Sequence, residues 1–220
     1  MDKISTEDIA NLNTVWELPK NKKPVVIIGA GGIGSYLIHN LNRINQRCRT
    51  DKPGVHLYDI HVFDDDTVEK SNLGNQMYSE HDVGELKVDT WSASCNAQPY
   101  QVLLDKQLKG YDLVVCCADN LAVRRLLYRQ GYGDSAKIKW LDLRAQGRNA
   151  ALISYKVDEN LVDALLSGPD GSFSCQAEGW DGLASEMNTM HMAIAGIAAQ
   201  WIQRWWNDHD DVADKIIMNV

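Results

Sequence analysis

A doubly wound, mostly parallel α/β sheet with a C-terminal helical segment is the fold class this sequence predicts, and three observations predict it. Pro24-Val25-Val26-Ile27-Ile28-Gly29 is a β-branched run without polar interruption, as in a strand buried on both faces. Gly29-Ala30-Gly31-Gly32-Ile33-Gly34 follows at once and reads as a glycine turn leading into a helix. Apolar runs then alternate with helix-like stretches, the order that parallel sheets with crossover helices require.

The elements follow in order. Gly32 opens a helix that runs through Ser35-Tyr36-Leu37-Ile38 toward Asn45. A polar stretch around Asp51 to Gly54 precedes a second strand, His56 to Phe63, which ends in Asp64-Asp65-Asp66. A helix is predicted from about His81 to Cys95, then a short strand near Gln101 to Leu104. Asp112 to Cys117 is a third buried strand, and Asn120 to Arg129 a helix. Ile138 to Leu143 and Ala150 to Tyr155 read as further strands. After a Gly/Pro/Asp/Ser loop at Gly168 to Ser174, a long helix from Met187 to Trp206 carries Met190, Ile194, Ile197, Trp201 and Trp205 at helical spacing. Its tryptophans suit a core or a subunit contact. One domain results: an extension over 1–23, a core over 24–167, a loop over 168–186, and a helix with a tail over 187–220.

Composition narrows the function. A chain of 220 residues with 45% hydrophobic and 24% charged residues can bury a single-domain core. Its net charge of -8 opposes general binding to nucleic-acid phosphates, which needs clustered Lys and Arg. No stretch reaches the ~20 apolar residues of a membrane span. The five cysteines, Cys48, Cys95, Cys116, Cys117 and Cys175, are scattered, which suits a reducing compartment and predicts a cytoplasmic protein.

Glycines at 29, 31, 32 and 34 let a chain turn tightly and bring its N–H groups to phosphate oxygens at a helix N-terminus, the Rossmann-like arrangement. Alone, the loop also fits a nicotinamide or flavin enzyme. Asp64, at the end of the second strand, is placed to hold ribose hydroxyls.

Farther along stand Asp64-Asp65-Asp66-Thr67-Val68, Ser71-Asn72-Leu73-Gly74-Asn75-Gln76, Asp82-Val83-Gly84-Glu85-Leu86-Lys87, and Asp119-Asn120 after a buried strand. In this order they resemble the ThiF/MoeB/HesA family, which includes the adenylation domains of ubiquitin-activating enzymes. The resemblance spans about Val25 to Arg125 and implies ATP and Mg²⁺ as cofactors. It implies that Asp64 binds ribose, that Asn72 and Lys87 hold the triphosphate, and that Asp119 holds Mg²⁺ through ATP. The local alternatives are a solvated Lys87 on a helix face and an Asp119 that caps the next helix. The resemblance also points to Cys175, in Phe173-Ser174-Cys175-Gln176, as an acyl-accepting nucleophile; the alternative is a loop cysteine of no consequence. The short format and the position of Cys175 before a long helix are similar to small prokaryotic members from plasmid and phage operons. No Cys-x-x-Cys pair is present, so no structural zinc is expected.

Two departures stand out. Asn75 occupies the family's arginine position, and no arginine precedes Arg43 to serve as an N-terminal finger. Arginine offers phosphate a fixed planar fork that asparagine lacks. Arg124, Arg125, Arg144 and Arg148 are the in-chain candidates to replace it.

The resemblance therefore implies adenylation of the C-terminal carboxylate of a ubiquitin-like or sulfur-carrier protein, with thioester formation on Cys175 to follow. The alternative is a catalytically degenerate subunit that binds nucleotide or partner beside another protein. A homodimer or heteromer is expected, with no nucleic-acid or membrane partner. A hydride-transfer enzyme rests on the glycine loop alone, since no Tyr-x-x-x-Lys follows it.

Overall fold

Seven strands form one mixed sheet in the order β3-β2-β1-β4-β5-β6-β7. The computed structural model describes residues 23–51, 58–93, 95–98, 111–131, 138–166, 189–207 and 211–220. The strands are β1 (Lys23–Ile28), β2 (Tyr58–Phe63), β3 (Asn96–Gln98), β4 (Leu113–Cys116), β5 (Lys139–Gln146), β6 (Asn149–Ser154) and β7 (Lys215–Asn219). The helices are α1 (Gly32–Asp51), α2 (Lys87–Trp91), α3 (Leu121–Gly131), α4 (Glu159–Leu165) and α5 (Met190–Trp206). The first five strands pair in parallel; β6 and β7 pair antiparallel. The expected Rossmann-like α/β fold is present.

Alternation along β1 explains its uninterrupted hydrophobic run. Val25 and Ile27 pack with Leu37, Ile38 and Leu41 of α1 and with Ile194, Ala198 and Ile202 of α5. Val26 and Ile28 face the other way, into Leu127 and Tyr128 of α3, Trp140 of β5 and Val162 of α4. A strand covered on both sides has no polar face to show. Trp201 and Trp206 are buried in the α1/α5 layer, where Trp206 meets Tyr58 edge to face at 4.8 Å. The Trp201 indole donates to the carbonyl of Ala213 at 2.8 Å, and Trp205 to the Tyr155 hydroxyl at 3.3 Å. Trp201 and Trp206 thus belong to this chain's own core, and Trp205 packs against it.

Two expectations need correction, and a third falls outside the described residues. The helix predicted from His81 to Cys95 is instead a 3₁₀ turn at Glu80–Asp82 and the short α2. The segment between is captured by residues 66–68. Val68 N–H donates to Glu85, Gly84 N–H donates to Val68, and Lys87 N–H donates to Asp66, while Gly84 sits at φ +95°. Backbone groups bonded across to another segment cannot also close helical turns. The strand predicted at 101–104 lies outside the described residues, and the third strand is β3. Finally, the tail after α5 forms β7, and α4 was not anticipated.

Candidate functional site

The strand order reverses between β1 and β4, the place where open α/β sheets leave a crevice beyond the strands' carboxyl ends. Gly29 turns there at φ +91°, its N–H bonded to Phe63 O at 2.9 Å, while Cys117 N–H reaches Ile28 O at 2.8 Å. A Cβ on Gly29 would stand 2.8 Å from Ala118 N, and one on Gly34 only 1.8 Å from Gly29 O. Those two glycines are demanded by the protein's own backbone. Gly31 is not: nothing lies within 4 Å of where its Cβ would be. Gly32 is the first residue of α1, whose first turn carries no acidic side chain to offset its positive end. Open space over an unneutralised helix N-terminus suits phosphate.

Asp64 is pinned against this turn. Its carboxylate accepts the Ala30 N–H at 2.6 Å through one oxygen and the Asp66 N–H at 2.9 Å through the other. Burial raises its pKa; the Ala30 N–H, the Lys87 charge and the Asp66 N–H oppose that rise. Each oxygen keeps a lone pair that can accept a ribose hydroxyl. Lys87 is 5% exposed, which sets aside the solvated-helix reading, and its Nζ lies 2.7 Å from Asp66 Oδ2. It faces a run of three carboxylates, Asp64, Asp65 and Asp66, whose oxygens fall within 4.8 Å of one another.

The segment after this run is stitched to the glycine turn. Tyr78 donates its hydroxyl to Ala30 O at 2.7 Å and accepts the Trp91 indole N–H at 3.3 Å; Ser35 Oγ accepts the Met77 N–H at 3.1 Å. Burial pushes the Tyr78 hydroxyl pKa up, so it stays a donor. Asn72 accepts the Glu69 N–H at 2.9 Å, which leaves its amide NH₂ group to donate to a ligand. Asn75 Oδ1 and Gln76 Oε1 are buried without a hydrogen-bond donor. Two acceptors lacking donors beside the site fit a ligand that carries hydroxyl or amide N–H groups. Tyr78, Ser35 and Asp66 were missed in the sequence; of these, Asp66 alone had a signal, the second aspartate of Asp-x-Asp.

Asp119 is exposed and directly follows Ala118, the residue against Gly29. The cap assigned to it as an alternative belongs to Asn120, whose Oδ1 accepts the Ala122 N–H at 2.8 Å. Asp119 therefore keeps a solvent-facing carboxylate beside the turn, as a magnesium ligand requires. Cys175 and the loop over 168–186 lie outside the described residues.

Two of the replacement arginines are committed elsewhere. Asp142, 0% exposed on β5, accepts Arg124 Nε at 2.9 Å, Arg144 Nε at 2.8 Å and the Tyr128 hydroxyl at 2.5 Å. Burial, the largest single influence, would lower the Arg124 and Arg144 pKa values, but the Asp142 charge, its hydrogen bonds and the nearby Tyr128 together outweigh it and both rise. Burial, with Asp142 adding to it, pushes the Cys116 thiol up to about 12, which keeps it protonated and inert. Arg144 Nη1 also meets Leu165 O at 3.3 Å, and Arg125 Nη2 meets Leu166 O at 3.5 Å. Asp142 gave no sequence signal as the centre of this network.

The ThiF family model matches residues 20–218. The SAMP-activating enzyme E1 of Haloferax volcanii is 32% identical over 116 residues, covering 47% of this chain and 39% of that protein. The adenylyltransferase and sulfurtransferase UBA4 of Yarrowia lipolytica is 31% identical over 123 residues, covering 50% of this chain and 28% of that protein. The match thus spans well under half of either relative. Among solved structures, E. coli MccB with succinimide aligns at TM-score 0.61 and 16% identity, covering 90% of this chain and 61% of that one. MccB with ATP aligns at TM-score 0.57 and 17% identity, covering 91% and 62%. At such identity the structural likeness speaks for the fold.

Proposed function

The chain belongs to the ThiF family, and from that membership we propose that it binds ATP at the β1–β4 crevice and adenylates the C-terminal carboxylate of a ubiquitin-like or sulfur-carrier protein. The observation that carries this reading is Asp64 fixed to the glycine turn through Ala30, with buried Lys87 joined to the same acidic run through Asp66. The matched relatives act as activating enzymes or adenylyltransferases by name, which supports the same reaction class.

The residues divide the work. Asp64, aimed by two backbone N–H groups, accepts the ribose hydroxyls. The N–H groups opening α1, the Asn72 amide and Lys87 draw the triphosphate, and Lys87 exchanges Asp66 for phosphate as it does so. A carboxylate oxygen of the carrier then bonds to the α-phosphorus while the bond from that phosphorus to the departing pyrophosphate breaks. Pyrophosphate leaves with the electron pair, and no proton changes hands. Asp119, with the phosphates, would hold Mg²⁺, which would supply charge neutralisation on the leaving group. Rate comes from alignment and from positive groups placed before the charge develops. A Cys175 thiolate would next attack the acyl-adenylate, form a thioester and release AMP.

We place the chain with the short prokaryotic members, cytoplasmic and acting as a homodimer or heteromer. No helix among the described residues is long and apolar enough to cross a membrane. A second reading has its own support: Asn75 stands for arginine, and Arg124 and Arg144 are tied to Asp142, so an arginine from a partner protein would complete a site that is degenerate alone. Family membership removes the ground for hydride transfer.

ATP–pyrophosphate exchange with candidate carriers tests the reading. Carrier-dependent exchange lost in Lys87→Ala and Asp119→Ala supports adenylation. Exchange that survives both substitutions sinks it, and ATP binding without exchange favours the partner-dependent form.

A further inference from the structure

Buried Tyr78 and half-buried Trp91 stand beside the crevice, and the chemistry proposed for it uses neither. The single O–H of Tyr78 donates to Ala30 O at 2.7 Å, and its oxygen accepts the Trp91 indole N–H at 3.3 Å. The two rings meet edge to face with centroids 6.3 Å apart. Ala30 has no exposed surface, and its own N–H goes to Asp64. Trp91 closes α2, the helix that Lys87 opens, so the two side chains lie one turn apart on one helix face. The bonds make a closed circuit. It runs from Lys87 through Asp66 and Asp64 to Ala30, then through Tyr78 and Trp91 back to the helix of Lys87.

What this circuit orients is the Ala30–Gly31 peptide. That peptide is trans and planar, so the Ala30 C=O and the Gly31 N–H point in opposite directions. Holding the carbonyl on Tyr78 aims the Gly31 N–H away from it. Among the described residues no acceptor meets that N–H, and nothing stands within 4 Å of where a Gly31 Cβ would be. We propose that Tyr78 is a positioning residue for ATP: backed by Trp91, it aims the Gly31 N–H at a phosphate oxygen and fixes the turn against the helix of Lys87 before ATP arrives. The proposal rests on the ATP reading of the crevice. A peptide left free to rotate would have to be ordered during binding, and fixing it beforehand removes that cost.

A plain packing role would not need the hydroxyl, since phenylalanine fills the same ring space. The hydroxyl is buried and stays protonated, because burial pushes its pKa up. The indole N–H polarises the hydroxyl it meets, which strengthens the bond from that hydroxyl to Ala30. Ser35, on α1 and without exposed surface, accepts the adjacent Met77 N–H at 3.1 Å and so ties the same segment to the helix that follows the turn.

Calorimetric titration of the full chain with ATP and magnesium, well below the melting transition, tests this. Tyr78→Phe should raise the ATP Kd about tenfold, the size of one hydrogen bond to a charged group. Trp91→Phe should raise it less, and the double variant should bind no more weakly than Tyr78→Phe, because Trp91 acts through the hydroxyl. Two independent packing defects would add instead. In protein carrying isotope-labelled glycine, ATP should shift the Gly31 amide resonance, identified by its loss in Gly31→Ala, and should shift it far less in Tyr78→Phe. Where the parent binds ATP, an unchanged Kd in Tyr78→Phe, additive losses in the double variant, or a Gly31 amide blind to ATP overturns the proposal alone. A parent that binds no ATP overturns the reading of the crevice, and the proposal with it. The parent's own amide signal keeps the test decisive if Tyr78→Phe folds poorly.

Discussion

Replacing Asp142 with asparagine should separate the structural arginines from the catalytic ones. Asp142 is fully buried and joins Arg124, Arg144 and Tyr128 through three hydrogen bonds of 2.5 to 2.9 Å. Asparagine keeps one acceptor oxygen but turns an NH₂ group on one of these donors, and it removes the charge that balances two guanidinium groups. Breaking a buried pair in this way costs about 3–5 kcal/mol, because the charge left behind is uncompensated. The separate bonds, at ~1.5–3 kcal/mol each, do not add to more than this, since they share one carboxylate. For a domain of this size ~1 kcal/mol shifts the melting temperature by ~2–4 °C, so Asp142→Asn should melt about 6–20 °C lower. Arg124→Gln should fall in the same direction by less, since a neutral partner leaves Arg144 still paired. Calorimetry and urea unfolding read both variants, and ATP affinity is measured below the transition. If Arg124→Gln melts like the parent and loses ATP binding, Arg124 is a phosphate ligand and this reasoning fails.

Gly34→Ala should destabilise strongly, because its Cβ would stand 1.8 Å from Gly29 O. Gly31→Ala meets nothing within 4 Å, so it should melt like the parent but bind ATP more weakly; equal melting losses for the two would refute the distinction. Asp64 has a raised pKa, so the folded state holds its proton more tightly than the unfolded chain. Stability from this group therefore falls as pH rises from its unfolded pKa of ~3.9 through the folded value. Urea unfolding across that window should show the fall in the parent and not in Asp64→Asn.

The readable parts of the molecule were local. Val25 to Ile28 announce a two-sided strand by composition, and the glycine turn and Asp64 lie where a strand must end. Lys87 could be placed from an ordered motif, though not its burial or its pairing with Asp66, which depends on residues 21 apart. The predicted helix over 81–95 failed because Val68 competes for its backbone, a contact no periodicity records. Asp142 is silent for the same reason: one charged residue in an apolar run looks like an interruption until two arginines arrive from α3 and β5. The strand β7 is five residues long and was hidden as a tail. In the sequence Ile216-Ile217-Met218 is a three-residue apolar run with no alternation, and the alternating burial shows only in the fold.

Arg144 holds Asp142 through Nε and the carbonyl of Leu165, the last residue of α4, through Nη1. Carbonyls at a helix end lack partners within the helix, and here one partner comes from the middle of the sheet. A short helix on a domain surface would ordinarily fray alone, with amide protons exchanging quickly. With its end held by a side chain rooted in a buried ion network, α4 loosens fully when that network does. Hydrogen exchange should then find α4 and β5 opening as one cooperative unit.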